Sequence, residues 1–136
     1  MTSLKWVFPF FVFAIASCEP GKPSVYPVKG SVHDGKGKPA VGAMVMLHPA
    51  KPFDDATKPV ATVDDKGDFT LTTYVAADGA PAGDYTITVT WVPPRKTPLD
   101  PERPDQLQGR YADPAKSALK FAVKSGDNAV PPIVVK

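Results

Sequence analysis

Few side chains in this sequence can do chemistry, so each can be weighed in turn. There is one thiol, Cys18, and there are two imidazoles, His33 and His48. A zinc site needs about four ligands, three of them protein groups even when catalytic. Two histidines on the outward faces of their strands, with no cysteine near them, do not supply that set. They read as structural, and no metal is expected. Neither histidine has a Gly-x-Ser-x-Gly elbow near it, so no nucleophile, base and acid can be assembled. Asp64, Asp65 and Asp68 surround Gly67 and invite a calcium reading. Their spacing departs from the Asp-x-Asp-x-Asp-Gly pattern with a distal Glu, and Asp with Gly is ordinary turn chemistry. The remaining candidate is a proline-dense stretch, Pro93 to Pro114. It carries Arg95, Lys96, Arg103 and Arg110, with Trp91 and Tyr111 at its ends. Arg and aromatic residues are common anchors of recognition surfaces. Loops longer than ~12–15 residues without secondary structure are usually functional or disordered. The competing reading is a stiff insertion that covers a sheet edge, with Tyr111 pinning it to the core.

The thiol has a context of its own. Lys5 precedes an apolar run from Trp6 to Ala16, and Ile15-Ala16-Ser17-Cys18 closes it with small residues before the cysteine. That is a targeting segment with a cleavage site. It is too short, with Pro9 inside it, to span a bilayer that needs ~20 apolar residues. The pattern resembles a bacterial lipoprotein signal with its lipobox. The resemblance implies diacylglycerol on the Cys18 sulfur, cleavage before Cys18, and acylation of the new N-terminus. Several acyl chains, at ~0.8 kcal/mol per buried methylene, hold a protein on a membrane stably. Glu19 after the cysteine, where Asp marks inner-membrane retention in enterobacterial sorting, leans the expectation towards the outer membrane.

Sixteen basic and fourteen acidic side chains leave the mature chain near neutrality, which argues against a nucleic-acid partner. With Cys18 lipidated no thiol remains for a disulfide or a metal. Seventeen prolines, ten glycines and abundant Val and Thr argue for short strands joined by tight turns. No helical apolar period follows the signal.

Residues 1–17 are expected to be the signal, 18–27 a polar tether, and 28–136 one domain. Strand alternation begins with Val28, Gly30 and Val32 facing one way. Asp34 to Pro39 is a turn. Ala43, Val45 and Leu47 form the next inward face, with Met44, Met46 and His48 opposite. Val60 to Val63 is a short strand, ended by the turn Asp64 to Gly67, after which Phe69 and Leu71 face inward. The clearest strand has Tyr85, Ile87, Val89 and Trp91 on one face and Thr86, Thr88 and Thr90 on the other. All four apolar residues are expected in the core. Leu119, Phe121 and Val123 give another inward face. Gly126-Asp127-Asn128 turns the chain into a last strand, blunted by Pro131 and Pro132, which suits an edge. Seven short strands predict an all-β sandwich.

Three stretches carry a family resemblance. The first runs Gly30-Ser31-Val32-His33-Asp34, Gly37-Lys38-Pro39 and Gly42 to Leu47. The second is Thr62 to Leu71, around Asp64-Asp65-Lys66-Gly67. The third is Pro81-Ala82-Gly83-Asp84-Tyr85-Thr86-Ile87-Thr88-Val89. In order and spacing they resemble the carboxypeptidase regulatory-like domain, a transthyretin-like, immunoglobulin-like sandwich of seven strands. The resemblance covers residues 26–92. The tail Gly109-Arg110-Tyr111-Ala112-Asp113-Pro114 resembles small lipoproteins of planctomycete-type bacteria that carry this domain. The resemblance implies a non-catalytic module without cofactor. Transthyretin-like hydrolases share the sandwich but end in a Tyr-Arg-Gly-Ser-type tail, whereas this chain ends Ile133-Val134-Val135-Lys136. Intradiol dioxygenases hold iron with two Tyr and two His in motifs that His33 and His48 do not match. The expected function is therefore structural or binding work in the cell envelope, on a lipid anchor. The partner would be an envelope protein, or a glycan such as peptidoglycan held by the 93–114 loop.

Overall fold

The computed structural model describes residues 23–53 and 57–136. The expected signal at 1–17 and Cys18 lie outside the described residues. Those described contain strands and turns and no helix.

Among the described residues the first element is β1 (Val25–Tyr26), inside the stretch read as tether. Val25 pairs with Pro81 and Tyr26 with Ala80, both in β6 (Ala80–Pro81), and Tyr26 packs on the core. The folded part thus begins before Val28. Pro27 then interrupts the strand, because it has no N–H to give a ladder. Next, β2 (Val28–Asp34) places Val28 and Val32 wholly inside. Between them Gly30 sits opposite Phe69 of β5 (Asp68–Thr70), whose ring covers it. A Cβ on Gly30 would fall 2.5 Å from the ring's Cζ, so the aromatic needs the glycine beneath it.

On the other edge of β2 lie β9 (Asn128–Ala129) and β10 (Ile133–Val135), both parallel to it. Val28 faces Asn128, but Val32 faces Ile133, so the register slips by one residue between them. Pro131 and Pro132 fall in the slip. Neither can donate to a ladder, and a bulge there accommodates both. The last strand is an edge, as expected.

The second sheet runs β4-β3-β7-β8, all antiparallel. Its members are β3 (Met44–Pro49), β4 (Val60–Thr62), β7 (Gly83–Thr90) and β8 (Lys120–Val123). Val45, Leu47, Ile87 and Val89 are buried from this side. They join Val28, Val32, Phe69, Ile133 and Val135 of the first sheet in one apolar cluster. Burying each such side chain fully is worth ~1.5–3 kcal/mol, which is why the period-2 pattern fixes the layers. Two four-stranded sheets with one core between them, beside the short β1–β6 pair and not closed into a barrel, are consistent with a β-sandwich.

Two sequence expectations change here. Trp91 lies beyond the end of β7 and is only partly buried. Its indole N–H reaches the Val41 carbonyl at 2.8 Å, so the ring caps one end of the core instead of filling it. The turn Asp64 to Asp68 does not join partners of one sheet. Asp64 N–H donates to the Asp68 carbonyl, and Val60 bridges Thr72, yet β4 pairs with β3 and β5 with β2. The hairpin is pulled apart at its middle and links the two sheets.

At the corner before β7 the inward-facing Tyr85 also makes a hydrogen bond. Tyr85 is buried, and its hydroxyl donates to the Pro81 carbonyl at 2.5 Å. Burial, with a lesser contribution from Tyr74, pushes the phenol up to about 12.

Candidate functional site

The strand directions give the domain two poles. The starts of β2 and β7, the 73–79 loop and the 124–127 turn share one pole with Val25. The turns at 35–38 and 64–67, the chain after β7 and Lys136 share the other. The 93–114 segment therefore stands at the pole away from the N-terminal side.

Geometry divides that segment. From Asp105 onwards it belongs to the fold. One Asp105 oxygen accepts from the backbone N–H of Trp91 at 2.8 Å and of Leu107 at 2.9 Å, and the other from Gly109 at 3.1 Å. Leu107 is buried in the core. Gln106 N–H donates to the Trp91 carbonyl, Val89 N–H to that of Tyr111, and Ile87 N–H to that of Leu119. The Ser117 hydroxyl donates to the Ile87 carbonyl at 2.6 Å. These bonds take the place of a strand along β7 where β8 no longer reaches. The second half thus covers a sheet edge, with Tyr111 against the core.

The first half projects. Arg95 pairs with Glu102 at 2.6 Å, both well exposed. Asp100 ties the tip, accepting from the Thr97 hydroxyl at 2.9 Å and from the N–H groups of Lys96 and Thr97. The Thr97 hydroxyl, aided by those N–H groups, lowers the Asp100 carboxyl below its usual range. The tip presents Leu99, 95% exposed, with Lys96 and Arg103 exposed nearby in sequence. Arg103 also borders an open groove of about 670 Å³ with Pro93, Pro104, Gln106 and Gln108.

The five residues singled out from sequence do not form one patch. Arg95, Lys96 and Arg103 belong to the projecting half. Arg110 and Tyr111 hold the C-terminal residue: Arg110 donates to the Lys136 carbonyl at 3.0 Å, and Lys136 N–H to the Tyr111 hydroxyl at 3.3 Å. Tyr111 is partly buried against the core. Two residues escaped sequence reasoning. Leu99 is an apolar residue between Pro98 and a turn-forming Asp, the one signal that it sits at a tip. Asp105 carries no local pattern, because its partners are set by the tertiary fold.

The histidines stand in different sheets, His33 in β2 and His48 in β3. The His48 ring nitrogen lies 2.9 Å from the Thr88 hydroxyl. Burial, then the charge of Lys58, lowers its pKa. Asp64 is used by its turn, accepting from Lys66 and Asp68 N–H at 2.9 Å each. Among the described residues no three His, Cys, Asp or Glu side chains gather as a metal site would require. Set against known proteins, the chain matches no family model and no curated sequence.

Proposed function

We propose that this chain is a lipid-anchored, non-catalytic module of the cell envelope that holds a protein partner by its far pole. The fold would be the seven-stranded, transthyretin-like sandwich of carboxypeptidase regulatory-like domains. Supporting that count, only Pro27 separates β1 from β2, only Ala82 separates β6 from β7, and one proline bulge separates β9 from β10. The ten segments then run as seven passes of the chain. The separation of His33 from His48 supports a binding role over a hydrolytic one.

One observation carries the reading. The first described strand begins at Val25, seven residues after the lipobox cysteine, and the projecting loop lies at the opposite pole. An anchored molecule would therefore present Leu99, Lys96 and Arg103 away from its membrane. A glycan site would want an open aromatic face. Trp91 and Tyr111, the aromatics at hand, are packed partly against the core. An apolar knob with mixed charges, held rigid by Asp100, suits a protein surface better.

The test has two arms. Cys18→Ser should remove lipid labelling and release the protein from the membrane fraction. Attachment unchanged in that variant would end the anchor reading. Capture of an envelope protein by the full-length chain should saturate, and should be lost when Leu99 becomes Asp. Equal capture by the Leu99→Asp variant would end the reading of the loop. Fractionation on a density gradient tests the outer-membrane expectation.

A further inference from the structure

The other pole carries an exposed apolar tip of its own. Val75 is 69% exposed, and Ala76 and Ala77 beside it are exposed too. Flexible surface loops seldom hold such residues outward by design, but this one is tied. The Asp78 carboxylate accepts from the N–H groups of Thr73 at 2.7 Å, Tyr74 at 2.9 Å and Val75 at 2.9 Å. The Thr73 hydroxyl donates to the Gly79 carbonyl at 2.6 Å, and Ala77 N–H to the Thr72 hydroxyl at 2.9 Å. Ala77 takes a left-handed φ of 58°, a conformation that costs a residue with a Cβ and persists only where surroundings impose it. The result is a preformed apolar corner that cannot fold back onto the core.

Its position gives it an occupant. Gly79, at the end of the loop, lies against the Tyr26 backbone: a Cβ there would fall 1.7 Å from the Tyr26 carbonyl oxygen. The loop therefore stands beside the point where the chain arrives from Cys18. Seven residues, fully extended, reach at most about 25 Å. A domain on so short a lead, with acyl chains on Cys18, keeps this pole at the bilayer. The nearby charges do not select an anionic surface. Exposed Lys29 and Lys124 are offset by Asp127 and Asp78, and the Asn128 side chain links the 124–127 turn to the Pro27 carbonyl. Apolar contact is what the corner offers.

We infer that the Val75–Ala77 corner seats in the lipid interface, a second contact that fixes which pole of the domain faces the membrane. The inference rests on acylation of Cys18. Anchor and corner together make two points of contact, and two points orient the domain. The projecting Leu99 loop then points outward by construction.

The full chain, acylated at Cys18, is the material for the test. Because that thiol is blocked, Val75→Cys or Leu99→Cys introduces one reactive thiol for a spin label, and both positions are exposed enough to leave the core alone. In vesicles of phosphatidylethanolamine and phosphatidylglycerol, the label at 75 should lie ~5–10 Å into the headgroup and acyl boundary. The label at 99 should remain in water. With Val75→Asp and the label at Ala76→Cys, lipid contact should vanish while the protein still floats with the vesicles. Flotation with the labels at 75 and 99 both in water would overturn the inference and leave the anchor standing. Lipid contact at both sites would also overturn it, because the domain would then lie flat. Failure to float, with no lipid on Cys18, would bring down the anchor and the inference together.

Discussion

The Tyr85 corner makes a demanding test of the fold, since one hydroxyl controls both a hydrogen bond and a titration. Replacing Tyr85 by Phe keeps the buried ring and removes the bond to Pro81. A buried bond of this kind contributes ~0.5–1.5 kcal/mol, and leaving the carbonyl unsatisfied can raise the cost to ~1–3 kcal/mol. At pH 7 the Phe variant should therefore be less stable by about 1–2 kcal/mol. The order should change in alkali. The folded phenol ionises at about 12, whereas an unfolded tyrosine ionises near ~10. Above pH ~10 the unfolded state sheds this proton first, so the wild type loses stability as pH rises, by ~1.4 kcal/mol per unit up to the folded value. Below pH ~9 the titration contributes nothing to the difference. By pH 11 the wild type should have lost ~1.4 kcal/mol that the Phe variant keeps, which brings the two together. Urea unfolding at pH 7, 9, 10 and 11 reads the effect directly. A constant gap between the two proteins across that range would refute the argument, for it would mean that the hydroxyl is not buried at a corner.

Ile87→Ala should cost about 2–5 kcal/mol in urea unfolding, because the side chain is 2% exposed between the sheets. Gly79→Ala should cost more than ~1 kcal/mol, since it adds a Cβ onto the Tyr26 carbonyl at a φ of 102°. The loss should begin at β1, as faster amide exchange at Val25 and Tyr26. Asp105→Ala should cost ~1.5–3 kcal/mol by releasing three backbone N–H groups, whereas excising Lys96 to Glu102 with a short Gly/Ser bridge should leave the melting transition close to wild type. If the excision melts the domain, or Asp105→Ala does not weaken it, the division of the segment at Asp105 is wrong.

The inward faces were legible wherever alternation was clean. Val28 with Val32, Val45 with Leu47, and Tyr85 with Ile87 and Val89 all lie where period 2 puts them. Alternation does not say where a strand stops, so Trp91 was carried into the core one residue past the end of β7. Thr88 was read as outward, yet it is 5% exposed because His48 lies over it from the next strand. Val25 and Tyr26 were hidden between Pro23 and Pro27, a composition that reads as linker. Residues 105–119 have no period because their bonds to β7 come singly, some through the side chains of Asp105 and Ser117. The turn at Asp64 to Gly67 showed its chemistry but not its destination. A hairpin and a link between sheets use the same residues, and only the distant partners of β4 and β5 distinguish them. At the candidate site, the charges of the loop were visible in the sequence. The split between a structural and a projecting half depended on contacts across the fold.

The parallel pairing of β2 with β10 has a mechanical consequence. Val25 stands at one pole and Lys136 at the other, one strand along. A pull between Val25 and Lys136 would run along these two strands in opposite senses. The bonds from Ile133–Val32 to Val135–Asp34 would then be loaded in shear, all at once, and not opened one after another. Bonds that share a load in this way resist far more tension than bonds that peel. Stretching the molecule by its ends should give a single high rupture event. Because the N–H groups of Val32 and Asp34 face away from β10, to Gly67 and Lys38, the variant that should lower it is His33→Pro, which removes the β2 donor on the β10 side.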